Sequence, residues 1–292
     1  MTFSITRFAR LAAATGLSAA LVVGPALADG PSRRGSIKDP VAPPAPRACA
    51  LSANVALTTE YVFRGFSQTA EGPAIQGGFD ATCGIFYAGI WASALDFAGA
   101  TDPNTAVLTN IDAHIEVDFY AGIKPKTGPV TWDLGVIYYA YPNSNTPASD
   151  LNFVEFKVGG SAEIWKGGTL GVTVFYSPDY TLETGPVWTV ETGFSQTLPT
   201  IGMFTPTFSA LVGYQKGDDA GYLVGVGNGD DNYLYWNVGL TLGFLEKWSL
   251  DFRYWDTNVE NNNASGGFAD NFCSGGVLQC DQRFVGTLKF TF

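Results

Sequence analysis

The feature that most limits the fold of this chain is an alternation of apolar and polar residues with a period of two, which recurs from residue 53 to residue 292. In the last segment, "RFVGTLKFTF", phenylalanine, glycine and leucine form one row, while Arg283, Lys289 and two threonines belong to the other. A period of two is the side-chain period of a β-strand. The pattern therefore predicts an all-β fold.

Twelve such segments are predicted, and the connections between them alternate in length. Odd-numbered segments precede long stretches rich in Asn, Asp and Gly, and even-numbered segments precede short turns. This asymmetry is typical of closed antiparallel transmembrane β-barrels, which have short periplasmic turns and long extracellular loops. The predicted strands are 53–66, 74–82, 85–97, 110–123, 130–141, 151–164, 169–177, 187–197, 205–215, 233–243, 247–256 and 283–292.

The two faces of each predicted strand differ in polarity. In 110–123, Ile115 and Phe119 share one face, whereas Glu116 and Asp118 share the other. A closed barrel in lipid accommodates both faces, with apolar residues outward, charged residues inward and no unpaired edge. A soluble β-sandwich has the same period with the opposite orientation. It remains the alternative.

Aromatic residues near the strand ends favour the barrel over the sandwich. Trp132, Trp188 and Trp248 are examples, together with Tyr61 and Phe63 near the end of the first predicted strand. Such residues form girdles at the membrane interfaces of a barrel. The segment 85–97 is apolar on both faces, so its orientation stays open.

The charged row is predicted to line the lumen. Its ten acidic residues outnumber its six basic ones, so a conducting barrel should prefer cations. Twelve strands enclose a narrow bore, which indicates a small conductance for small hydrophilic solutes. The alternative is a non-conducting structural or surface-binding barrel whose interior charges pair into a plug. The predicted lumen residues are Glu60, Arg64, Asp80, Asp112, His114, Glu116, Asp118, Lys124, Asp133, Glu155, Lys157, Glu163, Glu191, Asp251, Arg253, Arg283 and Lys289.

The N-terminal region predicts export. Residues 1–28 combine two arginines, an apolar stretch and an Ala-Leu-Ala cleavage pattern, as a Sec-type signal peptide does. Residues 29–50 are rich in Pro and are expected to form a flexible lead-in to the barrel at 51–292. The expected location is the bacterial outer membrane. Phe292 resembles the terminal signal that the barrel-assembly machinery reads on its clients.

Composition limits the partners. The formal net charge of -11 becomes more negative once Arg7 and Arg10 leave with the signal peptide, which excludes a nucleic-acid partner. No run of 18 apolar residues follows the signal peptide, so no membrane-spanning helix is expected. The expected partners are outer-membrane lipid, lipopolysaccharide and small solutes.

The four cysteines test the predicted topology. Cys49 and Cys83 fall on the short-turn side of the barrel, and Cys273 and Cys280 share the last long loop. An exported chain permits disulfides, and the membrane separates the two sides. We therefore predict a bond between Cys49 and Cys83 and another between Cys273 and Cys280, against the alternative of free thiols.

No catalytic constellation is visible. His114 is the only histidine, and no G-x-S-x-G motif occurs, so a serine hydrolase triad has no support. His114 is interpreted as a residue of the polar barrel interior. No cofactor, catalytic residue or metal site is predicted, since the aspartates of the fifth long loop lack the spacing of a calcium loop.

Several blocks together resemble a known family. They are "SANVALTTEYVFRGFSQTAEGPAIQGGFDA", "GIFYAGIWASALDF", "IEVDFYAGIKP", "GFLEKWSLDFRYWDT" and "FVGTLKFTF". The chain resembles, from residue 51 to residue 292, the TorF porin family, also described as a conserved proteobacterial family of unknown function. The resemblance implies an outer-membrane barrel.

Overall fold

The computed structural model describes residues 49–96, 113–142, 144, 150–217, 231–259 and 280–292. Most of these residues are extended, as their β-branched and aromatic content favours. The predicted signal peptide, and the lead-in up to residue 48, lie outside the described residues. The strands are β1 (Ala50–Thr58), β2 (Val62–Phe63), β3 (Phe66–Ser67), β4 (Ala74–Cys83), β5 (Phe86–Ala94), β6 (Ile115–Ile123), β7 (Lys126–Thr127), β8 (Val130–Ala140), β9 (Phe153–Trp165), β10 (Gly168–Ser177), β11 (Val187–Thr197), β12 (Thr205–Gly217), β13 (Asn232–Phe244), β14 (Trp248–Thr257) and β15 (Arg283–Thr291).

Twelve of these strands form one closed antiparallel barrel, as predicted. Each barrel strand pairs with its neighbours in the chain, and β1 pairs with β15 to close the ring. The other three are short: β2 pairs only with β3, and β7 lies in the turn between β6 and β8. Closure leaves no unpaired edge, which a bilayer would not tolerate.

The two ends of the barrel differ in the length of their connections, as predicted. At one end, strands are joined by 84–85, 124–129, 166–167, 198–204 and 245–247. At the other end they are joined by 59–73, 95–114, 141–152, 178–186, 218–231 and 258–282. We call these the short-turn end and the long-loop end.

The outer surface carries the apolar row. Exposed residues of this row include Leu57, Phe79, Phe119, Phe156 and Phe252, one on each of five different strands. A continuous apolar wall of this kind suits acyl chains rather than water, so the barrel is a transmembrane barrel and the sandwich alternative is wrong. Among the described residues, no helix is long and apolar enough to cross a membrane.

The tryptophans at the strand ends follow the interfacial pattern. Trp132 and Trp248 are exposed near the short-turn end, and Trp188 is exposed near the long-loop end. Tyr61 and Phe63 do not join this girdle. They pack inside the barrel, which corrects the sequence interpretation.

The structure decides the orientation of β5, which the sequence left open. Tyr87 and Trp91 point inward and are buried, whereas Phe86 and Ile90 are exposed on the outer surface. Both faces of this strand are apolar because the inward face packs against other aromatic residues. The polarity of the residues alone therefore could not show which face of β5 points inward.

The predicted disulfide between Cys49 and Cys83 is present. It joins the start of β1 to the end of β4 at the short-turn end, beside the ladder pair Ala50 and Thr82. Cys280 is also in a disulfide. Its predicted partner, Cys273, lies outside the described residues.

Candidate functional site: an interior hairpin at the long-loop end

The first connection at the long-loop end, residues 59–73, folds into the barrel and contains β2 and β3. We call this segment the inner hairpin. Its tip is the dipeptide Arg64-Gly65, and both residues have positive φ, at 49° and 90°. Gly65 is required here, because a Cβ at this position would lie 2.3 Å from Cγ2 of Thr257. The sequence prediction that the first strand runs to residue 66 is wrong, since β1 ends at Thr58.

Arg64 is the main polar anchor of the inner hairpin. Its Nη1 and Nη2 atoms donate hydrogen bonds to Oε1 and Oε2 of Glu155, at 2.6 and 3.0 Å. Tyr139 donates a third hydrogen bond to Oε2 of Glu155, at 3.0 Å. Burial disfavours the charge of Arg64, but the Glu155 carboxylate outweighs this effect and holds the pKa of Arg64 well above its ordinary value.

Two aromatic rings flank the guanidinium group. Its carbon lies 4.8 Å from the ring centroid of Phe63 and 4.9 Å from that of Phe175. Phe63 belongs to the inner hairpin, whereas Phe175 belongs to the wall strand β10. Cations are stabilised over aromatic faces, most strongly where water is excluded. Arg64 therefore lies in a closed aromatic and acidic environment.

A second anchor lies on another part of the wall. The Tyr61 hydroxyl donates a hydrogen bond to Oε1 of Glu116 on β6, at 2.7 Å. The Tyr61 ring packs edge-on against Trp91 on β5, with ring centroids 5.4 Å apart. Burial, reinforced by the charge of Glu116, raises the pKa of Tyr61, so its hydroxyl stays a donor.

The inner hairpin also contacts the opposite wall. The Tyr233 hydroxyl on β13 donates a hydrogen bond to the carbonyl of Arg64, and the Tyr233 ring packs against Phe66 at 5.1 Å. In the ring of twelve strands, β6 and β13 are six positions apart, so they face each other across the bore. Because the inner hairpin is bonded to both, it crosses the full width of the interior.

The base of the inner hairpin is fixed by an ion pair. Glu60 accepts a hydrogen bond from Arg283, and both side chains are buried. The carbonyl of Glu60 accepts a further hydrogen bond from the Thr58 hydroxyl, at 2.8 Å. These bonds hold the segment where it leaves β1 and turns into the bore.

A second connection covers the inner hairpin. In 178–186, Leu182 is buried, and Tyr180 packs on Phe153 with ring centroids 4.6 Å apart. The Thr181 hydroxyl donates to the carbonyl of Leu151, at 3.1 Å. This connection closes part of the long-loop end.

The interior at the short-turn end is polar and partly exposed. Asp133 accepts hydrogen bonds from Lys157 at 3.0 Å and from Tyr87 at 2.7 Å, and Lys124 lies 3.8 Å away. The Tyr87 hydroxyl lies against Gly135, where a Cβ would be 2.4 Å from the tyrosine oxygen. Tyr87 is therefore held between the wall and Asp133.

A separate polar cluster lies on the other side of the short-turn half. The Arg253 side chain donates to both carboxylate oxygens of Asp251, at 3.0 and 2.9 Å, and also to Asn237 and Ser209. Asp251 in addition accepts a hydrogen bond from Thr241, at 2.6 Å. Neither member of the ion pair is fully buried.

A family model described as "Bacterial protein of unknown function (Gcw_chp)" matches residues 43–292. The chain belongs to the Gcw_chp family. No curated protein matches its sequence. Solved structures similar to it include a KdgM porin (TM-score 0.49, 10% identity, 82% of this chain and 99% of that chain), a NanC porin (0.47, 10%, 83% and 99%) and LpxR from Salmonella typhimurium (0.41, 10%, 82% and 99%).

The predicted lumen residues of this Gcw_chp barrel fall into three groups. The first group is buried around the inner hairpin: Glu60, Arg64, Glu116, Asp118, Glu155, Glu191 and Arg283. The second belongs to the short-turn half, where every member except the buried Lys157 is partly exposed: Asp80, Lys124, Asp133, Lys157, Asp251, Arg253 and Lys289. The third comprises Asp112, Glu163 and His114.

The residues of the third group are either exposed or outside the described residues. Asp112 is outside the described residues. Glu163 is exposed and accepts a hydrogen bond from the backbone N–H of Gly167, so it caps the turn after β9. His114 is exposed and immediately precedes the first residue of β6, at the long-loop end.

Tyrosines are the residues of the Gcw_chp interior that the charge-based prediction missed. Tyr235 is fully buried and donates to Glu191 at 2.6 Å, and Tyr120 donates to Asp80 at 2.6 Å. Their position in the polar row of their strands was the available signal, because a tyrosine among charged residues tends to hydrogen-bond to them. Within the described residues, no cluster of His, Cys, Asp and Glu could hold a metal ion.

Proposed function

We propose that this protein is a porin-like channel of the bacterial outer membrane that is closed at rest by its inner hairpin and has a small conductance. The observation that carries the proposal is the path of the inner hairpin, which bonds to the opposed strands β6 and β13. A solute can pass only when this segment moves. The partly exposed polar interior of the short-turn half then forms the remainder of the path.

The wall around the inner hairpin supports a preference for cations in the open state. Arg64 leaves the bore when the tip of the hairpin withdraws, whereas Glu60 stays paired with Arg283 at the base. Among the described buried wall residues, the remaining basic side chains are Arg283 and Lys157, and each is paired with a carboxylate. The remaining acidic side chains are Glu116, Asp118, Glu155 and Glu191. An acidic constriction attracts cations and repels anions.

The proposed orientation follows from the two ends. Short turns face the periplasm and long loops face the exterior in outer-membrane barrels, so the inner hairpin closes the external side. Export through a cleaved Sec-type signal, insertion by the barrel-assembly machinery through the terminal Phe292, and contact with lipid and lipopolysaccharide belong to the same proposal. The resemblance to TorF porins supports it.

Planar-bilayer recording on the refolded protein without its signal peptide tests the proposal. The wild-type barrel should give small, brief, cation-preferring openings. Arg64→Ala removes the anchor to Glu155 and should give larger and longer openings. Lys216→Ala is the matched control, because Lys216 pairs with Asp231 in an exposed bridge at the same end and should leave the currents unchanged. Silence of both the wild type and Arg64→Ala over a range of voltages would rule out a channel.

A second candidate is a non-conducting structural or surface-binding barrel. Its support is the completeness of the packing, since Arg64 and Glu155 are almost inaccessible and two aromatic clusters hold the inner hairpin. In this case Arg64→Ala would lower stability without producing currents. Under both candidates we propose that the protein has no catalytic activity. In lipid and peptide hydrolysis assays, His114→Ala is expected to give the same rate as the wild type.

A further inference from the structure

We infer that the wall around the Arg64 guanidinium is a binding site for small organic cations, and that Arg64 is its resident occupant in the closed state. The inference rests on the proposed movement of the inner hairpin, and it names the class of solute that the site takes. Arg64 reaches the site from the tip of a segment that is separate from the barrel wall. A free cation of the same shape can therefore take its place.

The residues that recognise the cation belong to the wall and stay when the hairpin withdraws. Glu155 on β9 presents both carboxylate oxygens to two guanidinium nitrogens. Tyr139 on β8 holds the Glu155 carboxylate from behind, and Phe175 on β10 offers its ring face. A carboxylate that presents both oxygens beside an aromatic face is the environment that a planar guanidinium fits best.

The wall also has an acidic oxygen without a hydrogen-bond partner near this position. Asp118 is buried, and its Oδ1 atom has no hydrogen-bond partner in the structure. It interacts electrostatically with Glu155, and it pairs in the ladder with Tyr139, whose hydroxyl bonds to Glu155. A buried acceptor oxygen without a hydrogen-bond partner is costly, so the wall favours a cation with N–H donors that lies between these groups.

Displacement of Arg64 without a replacement would leave the buried Glu155 carboxylate uncompensated. An external cation that binds the wall removes this cost, so binding and hairpin withdrawal favour each other. The class of solute is a small molecule with a guanidinium, or less favourably a primary ammonium, because only the guanidinium reproduces both hydrogen bonds. The site thus selects the solute and releases the hairpin through the same contacts.

Thermal unfolding of the mature barrel in detergent tests binding without any need for conduction. Guanidinium chloride at low millimolar concentration should raise the midpoint of Arg64→Ala relative to equal sodium chloride, because a ligand that binds the folded state stabilises it. Urea, which has a similar planar shape without charge, should not. The wild type should not respond, since Arg64 occupies the site. Arg64→Ala/Glu155→Gln should not respond either.

A matched control is Arg253→Ala in the short-turn half. Arg253 also forms two hydrogen bonds to one carboxylate, Asp251, but it is partly exposed. Its variant should show no guanidinium response at the same concentration. If Arg64→Ala shows no rise in midpoint, or if the rise persists with Glu155→Gln, the inference is wrong.

A second variant covers the case in which Arg64→Ala does not fold. Replacement of residues 62–67 by a Gly-Ser linker removes β2, β3 and the Arg64-Gly65 tip and keeps the wall, so it should show the same guanidinium response. In bilayers, guanidinium should reduce potassium current through either variant at a concentration roughly tenfold lower than sodium requires. Binding without current would refute the channel but keep the site, whereas current without a guanidinium effect would refute the site alone.

Discussion

The two halves of the barrel interior are built from the same alternating strands but are filled in different ways. At the long-loop end, Glu155 and Tyr235 have exposed fractions of 0% because the inner hairpin covers them. At the short-turn end, Asp133 and Asp251 keep 27% and 22% of their side chains exposed. The alternation of a strand decides which residues face inward, whereas a loop decides which half of the interior is packed.

Similar ion pairs are therefore expected to contribute differently to stability in the two halves. Arg64–Glu155 is a buried pair with further hydrogen bonds, whereas Arg253–Asp251 retains access to water. Loss of one partner is expensive when the other stays buried and charged, and is mild when water can solvate it. The following predictions test this difference, in order of decreasing effect.

The largest effect is expected for Glu155→Ala. It leaves the Arg64 guanidinium buried without a carboxylate, which should lower the free energy of unfolding by about 3–5 kcal/mol. Asp251→Ala is the matched change in the other half and should cost at most about 1 kcal/mol. Urea unfolding of both variants in detergent micelles measures the two values. Equal losses would show that the two halves are not packed differently.

Removal of the disulfide should rank second. Cys49→Ala/Cys83→Ala opens a link with a sequence separation of 34, and the chain-entropy description of disulfides gives a loss of about 4 kcal/mol. The cause is greater freedom of the unfolded chain rather than lost packing at the short-turn end. Thermal unfolding with and without reductant measures the effect. A wild-type barrel indifferent to reductant would contradict the prediction.

A smaller effect is expected where an aromatic ring lies against a glycine. An added Cβ in Gly213→Ala would lie 2.1 Å from the Cζ atom of the buried Tyr235, so the variant should lose about 1–3 kcal/mol. In Gly243→Ala, near the short-turn end, the nearest atom would be 3.7 Å away. That control should change the free energy of unfolding by less than about 0.5 kcal/mol. If Gly213→Ala has the same free energy of unfolding as the wild type, Tyr235 can move, and the long-loop half is loosely packed.

The smallest effect is expected for Lys124→Gln. Lys124 is 3.8 Å from Asp133 and partly exposed, and Asp133 keeps its closer contacts with Lys157 and Tyr87. The loss should be below about 0.5 kcal/mol, as for exposed bridges in general. Chemical unfolding in parallel with wild type measures it. A loss above about 1 kcal/mol would indicate that the short-turn half is less open than its exposure suggests.

Sequence periodicity predicted the barrel well because the rule behind it is local. A strand alternates its side chains whatever it pairs with, so β11 has the predicted bounds, 187 to 197, and several other strands differ by one or two residues. The pairing of Cys49 with Cys83 followed from the same rule, since it needed only the positions of two strand ends.

The inner hairpin was missed because the alternation continues past Thr58, and because Gly65 alone is only a weak signal for a two-residue turn. Its partners are also distant in the chain. Glu155 is 91 residues from Arg64, and Tyr233 is 169 residues away. No local pattern could associate these residues, because only closure of the ring brings β9 and β13 to the same level of the bore.

The sequence by itself determined that the chain forms a twelve-stranded barrel, which face of most strands meets lipid, and where the charged residues lie along each strand. These properties depend on backbone geometry and on the cost of exposing polar groups to hydrocarbon, and both act residue by residue. Only the tertiary structure decided that 59–73 fills one half of the interior. That outcome depends on hydrogen bonds and aromatic contacts between opposite walls, which exist only after the ring has closed.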